Sequence, residues 1–172
     1  MNQMTPRQRM LTALTGGMPD RLPVTTHHVM PYFLNRYMGG ISYMEFFDRF
    51  GLDAWLWTVP YKPDTSKGEY YDPNQTFIHP LDHTHRIVSD NWRIETEELP
   101  SSDYRTTRYR FVTPRGTLTM VLQGNEYTDW VAEPLIKDKR DIDLIADFVT
   151  HPKCDVEAVN RRAEAFGERG LV

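Results

Sequence analysis

The chain has 172 residues, of which 40% are hydrophobic, 12% aromatic and 26% charged, a balance typical of a folded globular protein and not of a disordered or fibrous one. At this length one domain can bury about 70% of the surface that the unfolded chain exposes. The net charge of −4 comes from residues scattered along the chain, which leaves no basic surface for nucleic acid and no polybasic patch for a membrane. We therefore expect neither as a partner.

Cysteine content and hydropathy predict the cellular location. Cys154 is the only cysteine, so the chain holds no disulfide framework and no cysteine-based zinc site of its own. The N-terminus lacks the apolar core of a signal peptide, and no apolar run approaches the ~20 residues of a membrane span. These features predict a soluble cytoplasmic protein.

A capping box predicts the first helix. Thr5 is a good N-cap before Pro6, and Gln8 occupies the position of the reciprocal partner. The helix is expected to end at Gly16 and Gly17, because glycine readily adopts the left-handed conformation of a helix stop.

Two more helices are predicted before residue 52. The segment "VMPYFLNRYMGG" indicates a loop followed by a helix that ends at Gly39 and Gly40. Ser42 and Glu45 form a second capping box, for a helix that ends at Gly51.

Two segments have strand character and precede a long loop. "LPVTTH", residues 22–27, indicates a strand with its proline at the start or at an edge. "DAWLWTVPY", residues 53–61, is apolar throughout, which is typical of a strand buried on both faces in a parallel sheet. Residues 62–90 have no clear period and predict a loop.

The second half predicts an antiparallel meander and two helices. "NWRIETEEL", "YRTTRYRFV" and "GTLTMVLQGN" alternate in polarity and are separated by the turn sequences "PSSD" and "TPRG", and "DWVAEPLI" adds a short strand. Asp138 and Asp155 cap the two helices that follow. The last residues, "GLV", read as the start of another strand, so we expect the chain to be the N-terminal part of a longer protein.

The opening "TPRQRMLTALTGGMPDRLPV" resembles the N-terminal signature of the uroporphyrinogen decarboxylase-like superfamily, which also holds methylcobalamin:coenzyme M methyltransferases. The resemblance continues in "FFDRFGLDAWLW" and in "TPRGTLTMVLQGNEYTDWVAEPLIKDKRDIDLIADFV", in the order of the family. It implies an α/β fold, the N-terminal part of a distorted (β/α)8 TIM barrel with an antiparallel β-meander excursion. A complete barrel of this kind needs about 250 residues or more.

The resemblance also implies how the chain is organised. We expect residues 1–172 to form a single domain. Its parts are the leading helix with the first two strands (1–61), the long loop (62–90), the antiparallel meander (91–136) and the helices that lead to the next strand (137–172).

Two departures from the family pattern favour one activity over another. True decarboxylases carry an arginine-rich loop after the first strand and an aspartate after the second, whereas this chain has "THHVMPYF" and "LWTVPY" there. The resemblance therefore implies the corrinoid-linked methyltransferase branch, with a small-molecule substrate and a corrinoid protein as partner. Corrinoid and zinc would belong to the full-length protein, with no cofactor and no metal site in this chain.

Two alternatives stay open. One is a true uroporphyrinogen decarboxylase of porphyrin biosynthesis. The other is a non-catalytic binding or assembly module made of a partial barrel, which would expose strand edges and apolar faces and so form a homodimer or recruit a partner.

The implied barrel places the active site at the C-terminal ends of its strands. His27 and His28, after the first strand, are the candidate catalytic residues, because an imidazole is the side chain that titrates nearest neutral pH. The candidate substrate-binding residues are Tyr32, Trp57, Tyr61 and Asn125. Simpler interpretations are a strand-end histidine bonded to backbone, aromatic residues that belong to the core, and a turn role for Asn125.

Two further groups of residues are weaker candidates. His79, Asp82, His83 and His85 have the chemistry of metal ligands, but Pro80 argues against the helix that would align them, so a solvated loop is the preferred interpretation. Arginines that alternate along the predicted strands indicate a solvated face or a surface for an anionic partner; they are Arg105, Arg108, Arg110 and Arg115.

Overall fold

The structure is a computed structural model, and it describes residues 3–27, 29–75, 85–101 and 103–172. The chain divides into two compact units. The first unit comprises Met1–Pro60 and Asp155–Val172, and the second unit comprises Tyr61–Cys154. The organisation as a single domain stays a prediction.

The described residues form five α-helices and ten short β-strands. The helices are α1 (Pro6–Leu14), α2 (Pro31–Tyr37), α3 (Tyr43–Phe50), α4 (Lys139–Phe148) and α5 (Val156–Phe166). The strands are β1 (Ala54–Trp55), β2 (Tyr61–Lys62), β3 (Glu69–Tyr71), β4 (Ile87–Ser89), β5 (Arg93–Leu99), β6 (Arg105–Thr113), β7 (Gly116–Gly124), β8 (Asp129–Glu133), β9 (Lys153–Cys154) and β10 (Gly170–Leu171). None of the described helices has both the length and the apolar character needed to cross a membrane.

The structure confirms the helix starts that the capping residues predict. The Thr5 hydroxyl accepts a hydrogen bond from the Gln8 amide at 3.2 Å, while the Gln8 side chain accepts one from the Thr5 amide at 3.1 Å. Ser42 and Glu45 form the same reciprocal pair at the start of α3. The side chains of Asp138 and Asp155 cap α4 and α5. Each cap satisfies amide groups that a helix start leaves without an intrahelical partner.

The core of the first unit is a small cluster of apolar side chains. Phe47 of α3, Ala54 of β1 and Phe166 of α5 are buried together. Strand β1 pairs in parallel with β10, and Ala54 lies opposite Gly170. A Cβ at Gly170 would lie 1.8 Å from the Ala54 carbonyl oxygen, so only glycine permits this close approach.

The barrel prediction is wrong. The described strands form three two-stranded sheets and one four-stranded antiparallel sheet, and the parallel pair β1·β10 covers two residues of each strand. Residues 22–27 form no strand. Within residues 53–62, the strands are limited to Ala54–Trp55 and Tyr61–Lys62. The prediction that residues 53–61 form a strand buried on both faces is also wrong. The segment is apolar, but Trp55 and Trp57 are exposed and are not packed between two layers.

The second unit is built on the meander, which the sequence correctly predicts. Strands β5, β6, β7 and β8 pair in that order, each antiparallel to its neighbour. Thr113 pairs with Gly116, so two residues connect β6 to β7. The buried side chains of Trp92, Leu118 and Val121 contribute to the core of this unit.

The predicted loop 62–90 contains regular structure. Residues Thr65–Lys67 form a 3-10 turn, and β3 pairs antiparallel with β4. The carboxylate of Glu69 is buried and accepts hydrogen bonds from the Asp64 amide at 2.9 Å and from the His151 amide at 2.6 Å. These long-range bonds fix segments that have no periodic pattern in the sequence, which is why the prediction of a loop throughout is wrong.

Candidate functional site

A buried carboxylate organises the first unit. The side chain of Asp53, which follows α3, is 0% exposed. Arg9 of α1 donates a hydrogen bond to Oδ1, and Arg21 donates one to Oδ2 at 2.9 Å. Arg21 also donates to the Gly51 carbonyl at 3.2 Å. A buried charge is tolerated where it is both paired and hydrogen-bonded, and Asp53 meets both conditions.

Asp20 binds the other side of the Arg9 guanidinium. Arg9 Nε donates to Asp20 Oδ1 at 2.6 Å, and the Met4 amide donates to Asp20 Oδ2 at 2.9 Å. The hydrogen bond from Arg9, and then that from Met4, hold the pKa of the Asp20 carboxyl well below its usual range. The hydrogen bonds to Asp20 and Asp53 raise the pKa of Arg9, so Arg9 and Asp20 stay ionised over the whole physiological range.

Asp53 also attaches the chain segment that carries His27. The Val24 amide donates to Asp53 Oδ2 at 2.8 Å, and the Asp53 amide donates to the Val24 carbonyl at 2.7 Å. The segments that leave Val24 and Asp53 therefore run side by side. Three residues after Val24, the His27 ring meets Trp57 edge-on, with centroids 5.8 Å apart and planes at 77°.

The His27 and Trp57 side chains lie at the surface. His27 is exposed, and Trp57 is 56% exposed. The residue after Trp57 is fixed, because Arg162 of α5 donates a hydrogen bond to the Thr58 hydroxyl. An imidazole beside an indole offers a small molecule a proton donor or acceptor next to a flat apolar surface.

The other candidate residues lie at different places. His28 lies outside the described residues. Tyr32 is on α2 in the first unit, where its ring meets Tyr37 at 6.0 Å. Tyr61 is in β2 of the second unit, where it pairs with Cys154. The structure thus brings His27 and Trp57 together within one unit, and the catalytic and substrate-binding roles of all these residues stay predictions.

Asn125 has a turn role, which is the simpler of the two interpretations of its sequence position. Its Oδ1 accepts hydrogen bonds from the Tyr127 amide at 2.9 Å and from the Thr128 amide at 3.0 Å. The Asn125 amide donates to the Thr128 carbonyl at 3.0 Å. These bonds close the connection between β7 and β8.

The weaker candidates have structural partners where the structure describes them. Of the histidine cluster, His79, Asp82 and His83 lie outside the described residues, and the ring of His85 lies 5.2 Å from that of Tyr71. No group of three or more metal-ligating side chains occurs among the residues that the structure describes. The strand arginines form ion pairs: Arg105 with Asp129, Arg108 with Glu97, Arg110 with Glu95 and Arg115 with Asp147.

Sequence reasoning missed the charged group around Asp53. Arg7, Met10, Leu11 and Leu14 have the i, i+3, i+4, i+7 spacing of one helix face, which predicts that this face of α1 is the buried one. In the structure Leu14 is exposed, and Arg9, which is not part of that pattern, is buried. The sequence does contain a sign of this charged group. The segment "PDR" at residues 19–21 places an acidic and a basic residue directly after a helix that carries Arg9.

No family model, curated protein or solved structure matches this chain. The resemblance to the uroporphyrinogen decarboxylase-like superfamily therefore stays a prediction, one that rests on the quoted sequence stretches.

We expect Asp53→Asn to lower the free energy of unfolding by about 3 kcal/mol, because the change leaves a buried guanidinium without one of its counter-charges. Urea unfolding followed by circular dichroism measures this loss. Asp48→Asn is the matched control: its ion pair with Arg169 is exposed, so the loss should stay below about 1 kcal/mol. Equal losses in the two variants would contradict the central role of Asp53.

Asp20 should make the protein sensitive to acid. Its pKa is lower in the folded state than the ~3.9 of an unfolded chain, so its stabilising effect is complete above that value and is lost as the pH falls toward the folded pKa. Between about pH 5 and pH 2 the unmodified protein should therefore lose more unfolding free energy than Asp20→Asn does. Urea titrations across this range make the comparison, and parallel curves would contradict it.

Proposed function

We propose that this protein is a methyltransferase of the uroporphyrinogen decarboxylase-like type, which transfers a methyl group between a corrinoid carried by a partner protein and a small molecule. His27 and Trp57 form the contact surface for the small molecule. The observation that carries the proposal is the contact between these two rings at 5.8 Å, held in place by the hydrogen bonds between Asp53 and Val24.

The residues behind the family resemblance support the proposal. Arg9, Asp20 and Arg21 lie in the opening stretch, and Asp53 lies in "FFDRFGLDAWLW". In the structure these four residues bind one another, so the two stretches that carry the resemblance fold against each other.

In the proposed reaction His27 handles a proton. A corrinoid carried by the partner protein would supply the methyl group or accept it. A thiol that accepts a methyl group must lose its proton, and an imidazole is suited to take that proton near neutral pH. Trp57 presents its exposed ring beside the imidazole and so orients the small molecule against it.

Zinc does not fit the part of this chain that the structure describes. Its residues hold no group of three or more metal-ligating side chains, and Cys154 is exposed between Lys153 and Asp155. The proposed proton transfer therefore uses no zinc held by these residues. We also propose a cytoplasmic location, supported by the single cysteine, which is typical of proteins from a reducing compartment.

Turnover assays of the full-length protein test the proposed function. Methylcobalamin is incubated with 2-mercaptoethanesulfonate as the thiol acceptor, and demethylation of the corrinoid is followed by its absorbance. Uroporphyrinogen is offered in a parallel assay. We expect demethylation that depends on enzyme and thiol, whereas robust formation of coproporphyrinogen would overturn the proposal in favour of decarboxylation.

His27→Gln should lower kcat/KM by about 10²-fold or more, the usual contribution of a general base. The side chain is exposed, so the variant should keep its fold. His151→Gln is the control, since it removes an exposed imidazole from the second unit, and it should retain full activity. Equal activity of both variants would remove His27 from the mechanism.

A non-catalytic binding or assembly module is the second candidate, and the surface of the first unit favours it. Several of its large apolar side chains are exposed, among them Leu14, Met18 at 90% and Leu22. Exposed apolar surface of this kind is a common mark of an interaction site.

Under this second function the chain forms a homodimer. Light scattering coupled to size-exclusion chromatography should then give a mass of twice 20.2 kDa for the chain. Leu14→Ser and Leu22→Ser should shift it toward the monomer. A monomer at all concentrations would contradict assembly by this surface.

A further inference from the structure

A cavity of about 440 Å³ lies in the second unit, on one face of the sheet formed by β5 to β8. This volume is suited to a small molecule. Residues of three neighbouring strands line it, among them Thr96, Glu98, Thr107, Tyr109 and Leu122. None of these residues belongs to the site around His27.

The register of the sheet places an acidic, a hydroxyl and an apolar side chain in one row. Glu98 of β5 is directly opposite Thr107 of β6, and Leu122 of β7 is opposite Thr107 on the other side. Alternate residues of a strand point to the same side, so Tyr109 shares this face with Thr107. Tyr109 is also the diagonal neighbour of Glu98, at a separation that an aromatic ring and a long side chain can span.

The arginines that line the cavity in the described part of the chain already have acidic partners. Arg105 Nη2 lies 2.5 Å from Asp129 Oδ1. This pair crosses over Gly124, where a Cβ would lie 1.8 Å from the Asp129 oxygen, so glycine permits the contact. Arg86 Nη2 lies 2.8 Å from Oδ2 of Asp72, whose side chain is almost completely buried. Because each guanidinium has its own counter-charge, neither favours an anionic ligand.

Glu98 is different, because no cation among the described residues pairs with it. Its Oε1 accepts a hydrogen bond from the Thr107 hydroxyl at 2.8 Å. This neutral donor belongs to a buried residue, so it orients the carboxylate but leaves its charge uncompensated. The Glu98 side chain is exposed, which lets a ligand reach it. With both arginines paired, the described lining therefore carries a net negative charge at Glu98.

We propose that this cavity binds a small organic cation, a primary amine with an apolar body. The ammonium group donates a hydrogen bond to the Glu98 carboxylate. It lies beside the ring of Tyr109, whose negative face attracts a cation. The apolar body packs on Leu122, which is partly buried. Charge complementarity favours this class over carboxylic acids of the same shape, and the site does not depend on the proposed methyl transfer.

NMR titrations of the full chain test the proposal with three probes of similar shape. Phenethylamine is positively charged, 2-phenylethanol is neutral and 3-phenylpropionate is negatively charged. We expect phenethylamine to bind about fivefold more tightly than 2-phenylethanol, and 3-phenylpropionate to bind most weakly. Added salt should weaken the binding of phenethylamine, because the ion pair is open to water. Equal affinities for the three probes, or no saturable binding of phenethylamine, would overturn the proposal.

Variants locate the binding site. Glu98→Gln removes the charge and keeps an oxygen that accepts the Thr107 hydroxyl, so the fold should persist while phenethylamine binds about fivefold more weakly. Binding of 2-phenylethanol should change little. Glu95→Gln is the matched control, since Glu95 is an exposed glutamate of the same strand that pairs with Arg110 on the other face. Unchanged phenethylamine binding in Glu98→Gln, or an equal loss in the control, would contradict the assignment.

Discussion

The ion pairs of Asp53 are the interaction on which the first unit depends. Its carboxylate is removed from water and receives hydrogen bonds from two arginines and from a backbone amide. The cost of burying that charge is high unless its partners remain in place, so the three segments that supply them must fold together. The apolar cluster around Phe47 is small, which makes this polar constraint the more important one for the geometry of the unit.

The geometry of the candidate site depends on the ion pairs and hydrogen bonds of Asp53. Val24 is hydrogen-bonded to Asp53 through both its amide and its carbonyl group. The chain continues from Val24 to His27 and from Asp53 to Trp57, and these two rings are in contact. Neither ring is held by burial, since both are exposed. The position of the imidazole therefore depends on the charged residues of α1 and of positions 20–21. A substitution among these residues should alter the geometry of the candidate site, although none of them is proposed to contact the ligand.

Local chemistry made part of this structure predictable. Thr5 and Ser42 mark helix starts because a cap needs only residues within one turn, and the meander follows from alternating polarity and short turns. The ion pairs of Asp53 and the bonds of Glu69 join residues far apart in the chain, and no periodic pattern records them. The prediction that residues 53–61 form a strand buried on both faces failed for a related reason, because an apolar run does not say which neighbours will cover it.

The four-stranded sheet separates two kinds of charge on its two faces. Glu95 and Glu97 pair with Arg110 and Arg108 on one face, where each charge already has an exposed partner and gains little from a ligand. On the other face Glu98 is bonded to a neutral hydroxyl, and the buried Nε of Arg86 lacks an acceptor. Both faces of the sheet carry acidic and basic side chains, and they therefore differ in how these charges are paired and not in which charges are present.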